Sequence, residues 1–312
     1  MHKFLIIANP CSGRGKGRRL AEAVATQLTE GGAGATICHT TGPGDGERIA
    51  GAATIQADRP DCIVACGGDG TIQEVANALA QARTTSGNGC PALGLAPAGR
   101  CNDFARAFAI RPVVDSIVST LLTGTRRAID LGRVNGRYFC TIATCGVDAK
   151  ISSFVDRMRM PLRGKPAYLY GAVRLLWRDQ ASRFRFDGDV GEIEKVLFVA
   201  SVANTPFYGG AIPLVPHADP YDGLLDLCMI DGIGRRRIAT LLPRVIAGGH
   251  SEQKEVSFAR LRRITISTAE PHEIWADGER MGTTPAVFEV ALAAVEVMHE
   301  RSNVEERRSK EE

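Results

Sequence analysis

The chain has 312 residues, of which 44% are hydrophobic, enough to supply a core for each of two domains of ordinary size. Its 38 Lys and Arg residues nearly balance its 35 Asp and Glu residues, so the net charge is only +3. A charge this small argues against nucleic acid as a partner, and any basic surface must be local.

The nine cysteines are odd in number and lack the paired Cys-x-x-Cys spacing of a zinc site or disulfide framework. Buried, reduced cysteines suit a reducing compartment, so we expect a cytoplasmic protein. The first apolar run ends at Asn9-Pro10 and is too short for a signal peptide. No apolar stretch reaches the ~18 residues of a membrane span, so any membrane contact is expected to be peripheral, at the inner face.

Over the first third of the chain, short apolar runs alternate with longer amphipathic segments. The predicted strands are 4–8, 35–38, 62–66 and 93–96, and the predicted helices are 18–30, 47–57 and 72–80. The run 62–66 is apolar throughout, which is typical of a strand buried on both faces. We therefore predict an α/β domain with a parallel sheet covered by helices.

From about Arg126 the pattern changes to the alternation of β-strands. The predicted strands are 128–134, 138–144, 184–186, 195–202, 224–230 and 261–268, and the predicted helices are 148–157, 166–180 and 235–247. Asn135-Gly136 and Asp187-Gly188 are dipeptides typical of hairpin turns. The second domain is therefore expected to be mainly antiparallel.

These patterns give three parts. Residues 1–127 form the α/β domain, residues 128–291 form the β-rich domain, and the dense charge run 301–312 is a solvated tail. The segment 157–165 alternates basic and apolar residues and is either a membrane-approach segment or a surface loop.

The sharpest motif is Gly67-Gly68-Asp69-Gly70-Thr71, between the strand 62–66 and a helix. Glycines let backbone N–H groups approach a phosphate closely, and the helix N-terminus favours an anion. A carboxylate here would repel phosphate unless a divalent cation such as Mg²⁺ lay between them. Asp69 is therefore a candidate metal and phosphate residue; the alternative is a tight turn in which Asp69 caps the helix.

Two further loops follow strands of the same predicted sheet. Residues 9–17 contain three glycines, Ser12 and three further polar or basic residues, without the spacing of a Walker loop or a dinucleotide fingerprint. Residues 97–106 follow the strand 93–96. Because the carboxyl ends of parallel strands share one edge, we expect the three loops to meet. Together they would bring a mixture of polar side chains suited to Mg²⁺ and a polyphosphate to one place. These side chains are Asp69, Asp103, Asn102, Arg106, Arg14 and Lys16.

Three motifs, in this order, resemble the catalytic domain of bacterial diacylglycerol kinase-like lipid kinases. They are Asn-Pro-x-Ser-Gly at 9–13, Gly-Gly-Asp-Gly-Thr-x-x-Glu-Val-x-Asn at 67–77, and Pro-x-Gly-x-x-Asn-Asp-Phe-Ala-Arg at 97–106. Later segments match in order at 130–132, 145–149, 222–226 and 277–279. The resemblance implies an α/β nucleotide domain followed by a β-sandwich-like domain, as in NAD kinases and sphingosine kinases, with residues 292–300 returning to the first domain.

The resemblance also implies the roles of individual residues. Glu279 would be the general base, oriented by Asp130, while Asp69 and Asp103 would manage Mg-ATP. Asp222, with carbonyl groups near Asp219 and Leu224, would hold a structural Mg²⁺. The residues implied to contact ATP are Asn9, Pro10, Cys11, Ser12, Gly13, Arg14, Thr40, Gly67, Gly68, Asp69, Gly70, Thr71, Ile72, Gln73, Arg100 and Asn102.

One position departs from the family pattern. Arg100 stands where the family usually has Thr, and it either contacts a phosphate of ATP or obstructs the nucleotide. The expected activity is ATP- and Mg-dependent transfer of phosphate to a hydroxyl of diacylglycerol or a related lipid. The alternatives are a soluble NAD kinase-like enzyme and a catalytically silent protein that binds nucleotide or lipid. Pocket shape decides the lipid, and the sequence does not show it.

Overall fold

The computed structural model describes residues 2–86, 89–146 and 181–300. The chain divides into two compact units, Met1–Ile129 with Ala293–Glu312, and Asp130–Leu292. The predicted helices 148–157 and 166–180, the basic segment 157–165 and the charged tail 301–312 lie outside the described residues.

The first unit is an α/β fold, and its sheet is parallel. The strands are β1 Lys3–Ala8, β2 Gly34–His39, β3 Cys62–Gly67 and β4 Ala92–Pro97, and the helices are α1 Lys16–Glu30, α2 Asp45–Thr54, α3 Asp69–Ser86, α4 Asp103–Ala107 and α5 Val114–Thr123. The four strands pair in the order β4-β3-β1-β2. Every residue of β3 and of β4 is buried, because helices cover both faces of the sheet.

The last described strand, β15 Ala286–His299, adds to this sheet at its β4 edge. Val297 pairs in parallel with Leu93, and Val297 and Met298 are buried. Gly124, which follows α5, passes so close to this strand that a Cβ atom there would lie 2.2 Å from the carbonyl oxygen of His299. The carboxyl-terminal strand is therefore built into the first unit.

The second unit is antiparallel and begins within β5 Thr125–Val134. Its further strands are β6 Arg137–Phe139, β7 Ile142–Gly146, β8 Ser182–Gly188, β9 Ile193–Ala203, β10 Leu225–Asp231, β11 Val256–Leu261, β12 Arg263–Thr268, β13 Glu273–Ala276 and β14 Glu279–Thr283, with one helix, α6 Arg235–Ala247, in the described part. The order β14-β13-β7-β9-β8-β12-β15 forms the main sheet, and β10 links β9 to β11. The predicted α/β fold followed by an antiparallel β-rich fold is confirmed.

Two predicted strands are each split in two, and a remote carboxylate explains each break. The prediction 138–144 becomes β6 and β7, because Asp277 accepts the backbone N–H groups of Cys140 and Thr141 at 2.6 and 3.0 Å. The prediction 261–268 contains the last residue of β11 and the whole of β12, and Asp189 accepts the N–H groups of Arg262 and Arg263 at this break, at 2.5 and 2.9 Å. The remainder of β11 was not predicted. Local sequence carries no sign of a partner so distant along the chain.

One of the two predicted hairpin turns is confirmed and the other is wrong. Asn135 and Gly136 join β5 to β6 with φ angles of 47° and 87°. Asp187 and Gly188 instead pair within β8, and the turn follows them. Gly188 is needed for close approach between strands, since a Cβ atom would lie 2.5 Å from the carbonyl oxygen of Arg263.

None of the helices in 2–86, 89–146 and 181–300 is long and apolar enough to cross a membrane.

Candidate active site

Three glycine-containing loops of the first unit meet backbone to backbone at the carboxyl ends of β1, β3 and β4. A Cβ atom on Gly99 would lie 2.5 Å from the Cα atom of Gly68, and one on Gly13 would lie 2.3 Å from the carbonyl oxygen of Ala98. Side chains at these positions would force the loops apart. Glycine therefore allows the loops to lie close enough to act on one ligand.

The turn before α3 is very short, because only Gly68 separates β3 from the helix. Asp69 is the first residue of α3, and its Oδ1 atom accepts the backbone N–H of Phe104 at 3.1 Å. Sequence reasoning gave Asp69 a metal or capping role on its own helix. The contact also fastens the loop after β4 to the start of α3.

A second carboxylate, Asp103, lies in the same region. Asp103 is buried, and its Oδ1 atom is 3.9 Å from Nε of Arg106. Burial raises the pKa of the Cys101 thiol to about 12, and the negative charges of Asp103 and Asp69 act in the same direction. Asp69 and Asp103 therefore act on one small volume of the loop edge.

The loop between β4 and α4 is shaped by its own polar side chains. Asn102 adopts a left-handed backbone conformation, with φ of 53°. Its amide accepts the N–H of Gly99 at 2.9 Å and donates to the carbonyl oxygen of Gly99 at 3.2 Å. Arg106 donates to the carbonyl oxygen of Cys101 at 3.3 Å, while Arg100 is exposed. Asn102 and Arg106 therefore order the loop that presents Arg100.

The loop after β1 turns sharply before α1. Gly13, Arg14 and Gly15 have φ angles of 57°, 63° and 85°, a left-handed run that suits glycine. Asn9 accepts the N–H of Cys11 at 3.0 Å, and its amide nitrogen is 3.5 Å from the hydroxyl oxygen of Thr71. The exposed side chains of Arg14 and of Lys16, the first residue of α1, add positive charge at this edge.

A fourth loop, 40–46, runs from the end of β2 into the first turn of α2 and contains the predicted residue Thr40. Thr40 is buried, and its N–H donates to the carbonyl oxygen of Ala8 at 2.9 Å. Asp45 accepts the N–H of Thr41 at 2.7 Å and its hydroxyl at 2.5 Å. These bonds from Thr41 make the largest contribution to lowering the pKa of the Asp45 carboxyl well below its usual value, and the bonds from Arg48 act in the same direction.

Two side chains predicted to contact nucleotide lie in the core instead. Ile72 is 0% and Gln73 is 1% exposed, because both fall on the covered side of α3. The carbonyl oxygen of Gln73 accepts the amide of Asn77 at 2.9 Å. A ligand at the loop edge would meet the backbone of this turn and not these two side chains.

The loop edge fits a polyphosphate with a divalent cation. Its glycines would let a phosphate approach the backbone closely, and α3 directs its N-terminus toward the same edge. Arg14, Lys16 and Arg100 supply exposed cationic groups, and Asp69 and Asp103 supply the oxygen ligands that Mg²⁺ prefers. This donor set suits Mg²⁺ bound together with phosphates rather than a metal held by protein alone.

The second unit contains a buried network around Asn204, which sequence reasoning missed. Asn204 is 1% exposed, follows β9, and donates from its amide nitrogen to the carbonyl oxygens of Asp130 and Cys140, both at 3.0 Å. Its N–H donates to the carbonyl oxygen of Thr141 at 2.8 Å. An Asn at the end of a long apolar strand was the available signal.

The network extends to the predicted residues of this unit. Asp130 accepts the N–H of Gly223 at 2.9 Å, and its own N–H donates to the carbonyl oxygen of Pro220 at 2.8 Å. The 220–223 turn is therefore tied to Asp130. This contact gives Asp130 a structural task that its predicted role of orienting Glu279 did not include.

Glu279 is exposed and begins β14, directly after the tight turn formed by Asp277 and Gly278. These two residues have φ angles of 53° and 87°, as in the hairpin turn that favours Asp-Gly. The carboxylate of Asp277 also accepts the hydroxyl of Thr141 at 2.5 Å, besides the two N–H groups that split the predicted strand. Asp277 therefore fixes the turn that presents Glu279.

The carboxylate predicted to hold a structural Mg²⁺, that of Asp222, already has a cation beside it. Asp222 pairs with Arg260 and also accepts the N–H of Leu224 at 3.0 Å. The Asp219 carboxylate accepts the N–H of Tyr221 at 3.1 Å. The guanidinium of Arg260 thus already lies beside the Asp222 carboxylate, and a second cation at that carboxylate would be repelled.

Asp226, close to this turn, is a further carboxylate in the same region. It is 1% exposed, and neither of its oxygens has a hydrogen bond among the described residues. It lies 3.3 Å from Nε2 of His217 and 3.8 Å from Nε of Arg260, and burial raises its pKa. Within 2–86, 89–146 and 181–300, no group of three or more His, Cys, Asp or Glu side chains is placed to hold a metal.

This architecture, an α/β unit with glycine loops followed by an antiparallel β unit, is that of a kinase class. The model of the diacylglycerol kinase catalytic domain matches residues 3–134, and that of the YegS C-terminal NAD kinase beta sandwich-like domain matches residues 141–299. The chain belongs to the bacterial diacylglycerol kinase family.

Individual relatives agree with this assignment. The chain is 31% identical over 311 residues to a diacylglycerol kinase of Mycobacterium tuberculosis, covering 96% of each chain. It is 30% identical over 291 residues to one of Bacillus subtilis, covering 92% of this chain and 93% of the relative. The solved structure of a diacylglycerol kinase from Bacillus anthracis str. Sterne has a TM-score of 0.72 at 21% identity and covers 96% of this chain and 97% of that one, which shows a shared fold.

The pairing of Asp222 with Arg260 generates a prediction about metal dependence. Because the guanidinium already neutralises Asp222, we expect Mg²⁺ without nucleotide to leave the melting temperature of the wild-type protein unchanged. Arg260→Gln should lower it, since Asp222 and Asp226 then lose a cation. Thermal unfolding with MgCl₂, and with NaCl at equal ionic strength, measures both effects. A Mg²⁺-specific rise in the melting temperature of the wild type that Asp222→Asn abolishes would show that Asp222 does bind the metal.

Proposed function

We propose that the protein is an ATP- and Mg²⁺-dependent lipid kinase that transfers the γ-phosphate of ATP to a hydroxyl of diacylglycerol or a related lipid. The observation that carries the proposal is the pair of carboxylates, Asp69 and Asp103, at an edge built from glycine loops and flanked by exposed cations. Membership of the diacylglycerol kinase family supports the same reaction class.

The phosphates of ATP are assigned to the backbone around Gly68 and Gly70, with Arg14, Lys16 and Arg100 as charged contacts. Asn9 and Asn102 act through the shape of their loops, since their side chains already bond the backbone. Mg²⁺ bound with the phosphates would neutralise charge that develops during transfer. Asp69 and Asp103 would hold that ion in place.

The acceptor hydroxyl must lose its proton as the new P–O bond forms. Glu279 is the candidate base, because its carboxylate is exposed on a turn that Asp277 fixes. Asp130 is assigned a supporting role through the 220–223 turn. Glu279 and Asp130 both belong to the second unit.

A lipid acceptor implies that the enzyme works where its substrate resides, at a membrane surface. We propose peripheral contact from the cytoplasmic side. The nine cysteines, all within the described residues, form no disulfide bond, which suits a reducing compartment. Diacylglycerol is the first candidate substrate, because the curated relatives reported above carry that name.

The decisive experiment is incubation with γ-labelled ATP, Mg²⁺ and a panel of acceptors in mixed micelles. The panel contains diacylglycerol, phosphatidylglycerol, ceramide, a sphingoid base and, as a soluble rival, NAD. We expect the label in a lipid product. Label in NAD and not in any lipid would show a soluble NAD kinase-like enzyme, and no transfer to any acceptor would leave a silent binding protein.

The contact between Asp69 and Phe104 separates the chemical role of Asp69 from its structural one. Asp69→Asn keeps an oxygen that accepts the N–H of Phe104 but removes the negative charge. We expect this variant to melt like the wild type and to lose phosphoryl transfer. Asp69→Ala should also lose ~1–3 kcal/mol of unfolding free energy, the cost of an unsatisfied donor. Normal turnover in Asp69→Asn would remove its charge from the mechanism.

Glu279→Gln tests the general base. Turnover should fall by roughly 10²–10⁴-fold, the usual contribution of such a group, while ATP affinity stays nearly unchanged. Because Glu279 is exposed, the melting temperature should also hold. Steady-state kinetics together with calorimetric ATP binding measure both quantities. A large loss of ATP affinity with normal turnover at saturation would give Glu279 a binding role instead.

Arg100→Thr tests the departure from the family pattern. Arg100 is exposed on an ordered loop beside Asp69 and Asp103, so its guanidinium can reach a phosphate at the edge. We expect the substitution to weaken ATP binding by ~1.5–3 kcal/mol, the range for a charged hydrogen bond. Lipid affinity should hardly change. A gain in ATP affinity, with no binding by the wild-type protein, would show that Arg100 obstructs the site.

A further inference from the structure

Glu74 lies on α3 and reaches across to the loop that enters α2. Its two carboxylate oxygens accept one backbone N–H each, from Gly44 at 2.7 Å and from Gly46 at 2.8 Å. Gly44 is the residue before α2, and Gly46 lies in the first turn of that helix. Glu74 thus satisfies two donors at the start of α2, where helices leave N–H groups without partners.

The fit between these groups is close. A Cβ atom on Gly46 would lie 2.6 Å from an oxygen of Glu74 and 3.1 Å from its Cβ atom. Only glycine at this position lets the carboxylate approach both N–H groups. The carboxylate is half-buried, so these charge-assisted bonds are partly shielded from water.

The loop held by Glu74 runs back to Thr40 at the end of β2. Asp45 braces Thr41 within the loop, and Glu74 ties the same loop to α3. The helix α3 is also the one that begins at the glycine turn and carries Asp69. Glu74 therefore sets the position of the 40–46 loop relative to the edge assigned to ATP.

The placement of Glu74 repeats a pattern in the first turns of α3. Asp69 fastens the loop after β4 through the N–H of Phe104, and Thr71 lies beside Asn9 of the loop after β1. Glu74 follows Thr71 by three residues, so both are on one face of the helix. Each of the three side chains engages a different loop at the same edge.

We propose that Glu74 is a positioning residue for the nucleotide site. It acts by fixing the 40–46 loop against α3. The inference rests on the proposed function, since it takes ATP as the ligand of this edge. Glu74 touches neither nucleotide nor the acceptor. Its effect is on the affinity for ATP through the order of the loop, and not on the chemical step.

Glu47 provides a matched control. It lies on α2 and accepts the amide of Gln81 on α3 at 2.9 Å, so it also links these two helices. Its partner is a side chain further along α3 and not the entry loop. Glu47→Gln therefore weakens helix pairing without releasing the 40–46 loop.

The experiment compares the wild type with Glu74→Ala, Glu74→Gln and Glu47→Gln. Calorimetry gives ATP affinity in the presence of Mg²⁺, steady-state kinetics gives KM for ATP, KM for lipid and kcat, and hydrogen exchange follows the amides of Gly44 and Gly46. We expect Glu74→Ala to speed exchange at both amides and to lower ATP affinity about tenfold, the factor that one charge-assisted hydrogen bond is worth. Glu74→Gln keeps one acceptor and should fall between. The kcat at saturating ATP and the KM for lipid should hold.

Each outcome has one meaning. Faster exchange at Gly44 and Gly46 with unchanged ATP affinity would overturn the proposal, as would an equal loss of ATP affinity in Glu47→Gln. A fall in kcat with normal ATP affinity would also overturn it. If Glu74→Ala does not fold, the graded effect of Glu74→Gln decides. A wild-type protein that binds no ATP would defeat the proposed function itself, and that result does not depend on any Glu74 variant.

Discussion

The arrangement of the first unit depends on the opening turns of α3. Asp69 bonds the loop after β4, Thr71 lies against the loop after β1, and Glu74 bonds the loop that enters α2. A helix is rigid, so three side chains within six residues hold three otherwise independent loops in a fixed mutual geometry. Precise placement of this kind is what phosphoryl transfer requires, because its catalysis consists largely of positioning and charge.

The second unit reaches the same end by different means. Asn204 donates both amide hydrogens to carbonyl oxygens, and Asp277 accepts two N–H groups and a hydroxyl. Neither residue can be exchanged for the other, because an aspartate at 204 would set a carboxylate against two carbonyl oxygens. The Oδ1 atom of Asn204 has no hydrogen bond among the described residues, and a buried acceptor of this kind lowers the free energy of unfolding.

Sequence alone predicted those features that arise from local pattern. The apolar run 62–66 predicted a buried strand, and the glycines around Asp69 predicted a close approach of backbones, because each signal lies within a few neighbouring residues. The contacts of Asp277, Asp189 and Glu74 join residues far apart in sequence, so no local pattern announces them. The pairing of Asp222 with Arg260 is of the same kind, since 38 residues separate the two.

Both boundaries between the units fall inside strands, after Ile129 in β5 and after Leu292 in β15. The first unit is consequently discontinuous in sequence, and no single stretch of the chain encodes it. A fragment ending before Ala293 would lack the strand that pairs with Leu93, leaving β4 as an open, fully apolar edge. Such an edge is a template for association between chains. Dissection of this protein into separate halves would therefore require the carboxyl-terminal strand to be supplied to the first unit through a new covalent connection.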